Sequence, residues 1–176
     1  MRDMKYQVVG VLVAVLTASM AQTVFAAPVE VSACYERAGR DYGIDPDLLL
    51  SIGIQESRLN NKAINKGSYD YCQMQVNQIH TDELKDFGIN LKELTHQPCT
   101  CIYSGTWVLA KFFQRYGRSW NTVGMYNAGV KNSPVPNRNR ANYARSIRGI
   151  YTVIKMEKKE GGEKSLALFN DNKTHK

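Results

Sequence analysis

Glu56 is a carboxylate whose place in the chain suits proton transfer. It lies four residues after Ile52 and seven after Leu49, so at 100° per residue it projects from the apolar face of a helix. Desolvation on that face favours the neutral carboxyl and raises its pKa, which is what a general acid working near neutral pH requires. The plainer expectation is a carboxylate at a frayed helix end, facing water. Polar groups able to surround a substrate then follow in clusters. Ser57 is adjacent, Asp70 leads into Gln73-Met74-Gln75-Val76-Asn77, and Met125-Tyr126-Asn127-Ala128-Gly129 and Tyr143 come later.

Taken in order, Glu56-Ser57, Met74-Gln75-Val76-Asn77, Tyr126-Asn127-Ala128-Gly129 and Tyr143 resemble the successive motifs of the lysozyme-like lytic transglycosylases, in their soluble-lytic-transglycosylase branch. The resemblance runs from about Cys34 to Tyr151, and within the family it is to small exported members that accompany type III secretion systems, type IV pili and conjugation machines. It implies a mainly α, lysozyme-like α+β fold: a helical domain with a small β-hairpin or loop lobe beside a cleft. It also implies a role for each matching residue. Glu56 would be the single catalytic acid and base, and Ser57 would orient or polarise substrate contacts. Met74 and Gln75 would line the sugar cleft, Asn127 with Tyr126 would form the opposite wall, and Tyr143 would hydrogen-bond near the Glu56 carboxyl. Plainer readings stand beside these: Met74 as core filling, Tyr126 and Tyr143 as buried aromatics, Asn127 as a helix cap.

The implied reaction is cleavage of the β-1,4 bond between N-acetylmuramic acid and N-acetylglucosamine in peptidoglycan, leaving 1,6-anhydromuramic ends. The resemblance implies a monomer acting on glycan strands, with no metal and no cofactor. Glycosidases commonly pair a protonated acid with an ionised carboxylate that stabilises the cation or attacks it. Asp70, fourteen residues after Glu56, is the candidate partner, and an aspartate at about this place is common in the small secretion-associated branch. Its alternative is an aspartate bonding its own loop. A hydrolytic lysozyme on the same fold, using Asp70, is the nearest rival function, and a non-catalytic wall-binding subunit is another.

The elements that must position these groups read as helices joined by polar loops. A helix is expected over Ser32–Tyr42, stopped by Gly43. Asp45-Pro46 opens a second with an N-cap and a proline at its first position. The stretch 60–70 is loop-like, with room for a short hairpin. Helical pieces are expected over Thr81–Phe87, Leu91–Leu94 and Thr100–Tyr116, and another between a Ser119 cap and Gly129. A linking loop is expected over Lys131–Asn137, followed by a last long helix with Tyr143, Ile147, Ile150 and Ile154 on one stripe. Among its basic residues, Arg138, Arg140, Arg145 and Arg148 are expected on a solvated face, with contacts to stem carboxylates or anionic lipid as the alternative.

Cys34, Cys72, Cys99 and Cys101 allow three pairings, and a Cys99–Cys101 bridge would close too tight a ring. Of the two that remain, Cys34–Cys99 with Cys72–Cys101 is the expectation. The family resemblance adds to it, since Cys72 stands where relatives usually have glycine and Cys101 where the small branch tends to carry asparagine. A lone C-x-C without a neighbouring His pair has the wrong spacing for structural zinc.

The first 26 residues carry Arg2 and Lys5, an apolar run over Val8–Ala21 and small residues before Ala26, the pattern of a cleaved secretory signal. That run is too short to span a bilayer as a helix. The expected organisation is a signal peptide over 1–26, one domain over 27–160 and a polar tail over 161–176, located in the periplasm where disulfides persist. Cleavage takes the formal charge from +7 to +6 by removing Arg2, Asp3 and Lys5. Export argues against a nucleic-acid partner. Lys155–Lys164 mixes Glu157, Glu160 and Glu163 with its lysines, which argues against a membrane-active amphipathic helix.

Overall fold

The computed structural model describes residues 26–159. The expected signal peptide, apart from its last residue, and the expected polar tail lie outside them. Among the described residues there are six α-helices and one small sheet. They run in the order α1 (Ala26–Tyr42), α2 (Pro46–Ser57), β1 (Ile64–Asn65), β2 (Asp70–Tyr71), β3 (Val76–Asn77), α3 (Thr81–Lys85), α4 (Pro98–Tyr116), α5 (Trp120–Ala128) and α6 (Pro134–Lys159). Single 3-10 turns occupy Gln78–His80 and Leu91–Thr95.

The second helix forms as its ends dictate. The Asp45 side chain accepts from the Asp47 N–H, Pro46 takes the first turn where no N–H partner exists, and Arg58 closes the helix in the left-handed region. Leu49 and Ile52 are fully buried. Helix α6 runs antiparallel along α2 and is tied to it at both ends. Tyr151 Oη and Lys155 Nζ donate to Asp45 at 2.7 and 3.0 Å, and Lys155 and Lys158 meet the buried Asp47 at 3.1 and 2.5 Å. At the other end, Ser146 Oγ donates to Gln55.

The sheet is antiparallel in the order β1-β2-β3, with Asp70 opposite Asn77 and Tyr71 opposite Val76. The connection between β2 and β3 is four residues, Cys72 to Gln75, and it points inward: Cys72, Gln73 and Met74 are at most 1% exposed. Gly105 on α4 makes room for it. A Cβ there would come within 2.7 Å of Met74 Cβ and 2.8 Å of Tyr126 Oη. Cys72 sits at φ +63°, a region that costs a residue with a Cβ about 1–2 kcal/mol. Its sulfur is bonded to Cys101 in α4, with Cα atoms 6.2 Å apart, and Cys34 is bonded to Cys99, with Cα atoms 5.3 Å apart. Both expected pairings are present.

Several expectations shift. The first helix starts at Ala26, six residues ahead of Ser32. The sequence 60–70 holds β1 and the start of β2, so the hairpin becomes three strands. The expected loop over Lys131–Asn137 is cut short because α6 begins at Pro134. Pro134 and Pro136 fall in its first turn, where a missing N–H costs nothing. Arg140 is not on a solvated face: it is 4% exposed, and its guanidinium donates to the carbonyls of Gly129 at 2.8 Å and Lys131 at 3.1 Å.

The inward loop generates a stability prediction. Removing the Cys72–Cys101 bridge as Cys72→Ala/Cys101→Ala, the two cysteines standing 29 positions apart, is expected to lower unfolding stability by about 2–4 kcal/mol. Cys72→Gly/Cys101→Ala is expected to recover about 1 kcal/mol of that loss, because glycine tolerates the positive φ. Chemical denaturation of the two double variants checks this, and equal stabilities would contradict it.

Candidate active site

A cleft of about 490 Å³ opens between the sheet and helices α4 and α5. Its lining includes Glu56 at the end of α2, Asp70 of β2, Gln75, and Tyr126 and Asn127 of α5, with Val108, Phe112 and Met125 as apolar floor. Five of the eight residues singled out as catalytic or substrate-binding are therefore brought to one surface.

Glu56 sits at the closed side. It is half-buried, and Tyr143 Oη donates to its Oε1 at 2.5 Å. Burial pushes the Glu56 carboxyl up to about 7. The Tyr143 hydrogen bond pulls it down and the charge of Asp70 adds a smaller upward push. Tyr143 is held protonated, with burial and then the Glu56 charge driving its pKa upward. The carboxyl thus sits between an acid and a base at neutral pH, the poise that proton donation followed by retrieval requires.

Asp70 is held by both oxygens. Asn77 Nδ2 donates to Oδ1 at 2.5 Å across the strand pair, and Ser68 Oγ donates to Oδ2. Asn77 Nδ2 also reaches the Ser68 carbonyl at 2.9 Å. These contacts fix the carboxylate in place on the sheet side of the cleft.

Met74, Ser57 and Tyr143 lie behind the cleft surface. Met74 does not line it. It is fully buried, and its carbonyl accepts from Tyr126 Oη at 2.8 Å, so the core-filling reading is the one the structure bears out. Ser57 spends its hydroxyl on the Gln73 carbonyl at 2.9 Å. Tyr143 acts through Glu56 from a 7% exposed position. Gln75 lines the cleft while its amide donates to the Cys72 carbonyl at 2.8 Å.

Tyr35, Ser68, Val108 and Phe112 went unnamed in the sequence, and Gln73 and Asn77 were named there without an individual role. Tyr35 of α1, 2% exposed, donates to Gln73 Oε1 at 2.9 Å, and Gln73 is itself 1% exposed. A buried glutamine beside two cleft residues has no periodicity to mark it. Asn77 and Ser68 were legible in principle, because a hairpin centred on Cys72–Gln75 puts Asn77 opposite Asp70. Val108 and Phe112, four apart on α4, form an apolar stripe that turns to the cleft rather than the core.

The family model for the transglycosylase SLT domain matches residues 33–149. Among curated relatives, the X polypeptide of Escherichia coli is 43% identical over 132 residues, covering 73% of this chain and 78% of that protein. Protein IpgF of Shigella flexneri is 36% identical, covering 74% and 87%. Invasion protein IagB of Salmonella typhimurium strain SL1344 is 36% identical, covering 77% and 85%. Among solved structures, an inactive mutant of the lytic transglycosylase Slt from Pseudomonas aeruginosa matches with a TM-score of 0.58 at 19% identity. That match covers 74% of this chain and 24% of the larger protein, so it speaks to the fold.

The electrostatics of Glu56 are open to direct measurement. In a carboxyl-carbon NMR titration its midpoint is expected near 7, and Tyr143→Phe is expected to move it higher by removing the hydrogen bond that favours the charged form. With the folded value above the ordinary glutamate value, this group's contribution to stability declines as pH rises through that interval. A midpoint in the ordinary carboxylate range, or a downward move in Tyr143→Phe, would contradict the assignment.

Proposed function

The chain belongs to the transglycosylase SLT domain family, and from that premise we propose that it is a peptidoglycan lytic transglycosylase cleaving the β-1,4 bond between N-acetylmuramic acid and N-acetylglucosamine. The observation that carries this reading is the half-buried Glu56, poised near pH 7 on the cleft wall by burial and Tyr143.

In this reaction neutral Glu56 donates its proton to the glycosidic oxygen as the bond to the anomeric carbon breaks. Positive charge develops on the muramic ring, and the Asp70 side chain stabilises it. The Glu56 carboxylate then takes the proton of the C6 hydroxyl on the same sugar, and that oxygen closes onto the anomeric carbon. The product is a 1,6-anhydromuramic end, no water is consumed, and Glu56 is again protonated. One carboxyl serves both steps because the nucleophile is tethered within the sugar. Ser57, Met74 and Tyr126 serve by holding the loop that presents Gln75 and Asp70, while Asn127 is free on the opposite wall to meet the glycan.

The rival hydrolytic reading would have Asp70 attack the sugar or activate a water. Each Asp70 oxygen accepts a hydrogen bond from its own lobe, which holds the carboxylate in place for an electrostatic role, and the anhydro product is proposed from the family resemblance. The first 26 residues support export to the periplasm. The invasion protein among the relatives supports a setting in which wall opening makes way for a secretion, pilus or conjugation apparatus.

Digestion of purified sacculi, with products resolved by mass, tests the reaction: an anhydro end is lighter than a hydrolysed one by one water. Glu56→Gln is expected to remain folded and to lose activity by roughly 10² to 10⁴ or more. Asp70→Asn is expected to lower turnover with thermal stability changed by no more than about 1 kcal/mol. A folded Glu56→Gln protein with near wild-type turnover would remove the assignment.

A further inference from the structure

His80 is a titratable group in the cleft wall that proton transfer at Glu56 leaves unused. It ends the 3-10 turn that follows β3, and its ring lines the cleft near Phe112 of α4. The side chain is 13% exposed. Nδ1 lies 3.4 Å from Glu83 Oε2 of α3, and the other oxygen of Glu83 is ion-paired with Lys111 of α4. Lys111 sits over Trp107, 4.4 Å from the ring centroid, and Trp107 packs edge-on against His80 with centroids 5.7 Å apart. The imidazole is therefore held by a carboxylate on one side and an aromatic on another, both braced from α4.

A carboxylate only accepts, so this partner assigns the proton to Nδ1 and leaves a lone pair on Nε2. Among the described residues no group hydrogen-bonds Nε2, yet it is not one of the buried polar atoms sealed without a partner. His80 is itself one of the residues that line the cleft. Burial depresses the imidazole pKa, the Glu83 hydrogen bond opposes that, and Lys111 adds to the depression, so the ring is neutral at pH 7.

We propose that His80 Nε2 is a substrate-binding acceptor, taking a hydrogen bond from an N–H or O–H of the glycan strand, with Glu83 as the positioning residue that sets its tautomer. This rests on the glycan-cleaving reading above and assigns a specificity contact to it. Groups with the opposite hydrogen-bond sense at that place, or a protonated ring, would reject the same strand.

The test uses the Glu56→Gln protein, which removes turnover and the titration of Glu56, and calorimetric binding of an N-acetylglucosamine pentamer. His80→Phe in that background is expected to weaken binding roughly three- to tenfold, the worth of one net hydrogen bond. His80→Gln, whose amide oxygen restores an acceptor, is expected to recover part of the loss. Lowering the pH through the His80 titration, followed by ring-proton NMR on the same protein, is expected to weaken binding with His80 present and much less in His80→Gln. Glu83 and Lys111 beside the ring and Asp70 in the cleft are common to both proteins, so the comparison isolates the imidazole. Equal affinity of His80→Phe, or the same pH dependence in His80→Gln, overturns the proposal, and the second comparison stands even if His80→Phe fails to fold. No binding by the Glu56→Gln protein at all would instead strike the glycan reading and this proposal together.

Discussion

A polar chain reversal driven into an apolar core is the constraint on which the rest of this domain depends. Peptide groups removed from water must be paired or they cost several kcal/mol. The four residues Cys72–Gln75 find their partners on different elements: Tyr35 of α1, Ser57 of α2, Tyr126 of α5 and a sulfur on α4. The loop is thus a hub, and each spoke fixes one neighbouring helix. The chemistry rides on those anchors. Glu56 directly precedes Ser57, Asp70 lies two residues before Cys72, and Gln75 ends the loop, so satisfying the buried backbone also sets the cleft.

That arrangement explains why a costly carboxyl survives at the end of α2. Glu56 gains little for the fold, since burial disfavours its charge and one phenol is its only hydrogen-bond partner among the described residues. Its helix is stabilised elsewhere, by Leu49 and Ile52 in the core and by the ties of Asp45 and Asp47 to α6. Such a local conflict, offset by consistent packing around it, is characteristic of functional sites. Asp70, by contrast, has both carboxylate oxygens hydrogen-bonded within its own lobe, to Asn77 and Ser68.

The sequence made the α2 end signals and the apolar placement of Glu56 readable, because cap chemistry and helical period are local. The same holds for α5, bounded by Ser119 and Gly129. Met74 was misplaced because its motif neighbours face the cleft, while period-two alternation fails in a tight reversal with Cys72 and Gln75 at positive φ. Arg140 looked solvated because burial of a guanidinium depends on the carbonyls of Gly129 and Lys131, which only the fold brings to it. The prolines of α6 read as loop because their residue types suit a turn and a first helical turn equally. Tyr35 and Gln73 meet across 38 residues, a separation at which no local pattern speaks.

The ties between α2 and α6 have a metrical consequence. Tyr143 grips one end of α2 at Glu56, and Tyr151 and Lys155 grip the other at Asp45. From Tyr143 to Lys155 is about 18 Å along a helix and from Asp45 to Glu56 about 17 Å. The two helices are therefore gauged against each other like the marks of a vernier. Substitutions on the outer face of α6 leave the gauge intact. A single residue inserted between Tyr143 and Tyr151 would turn everything beyond it by about 100°, so one end of the pair could keep its grip only by releasing the other. Length, more than composition, is what evolution is held to in that stretch of α6.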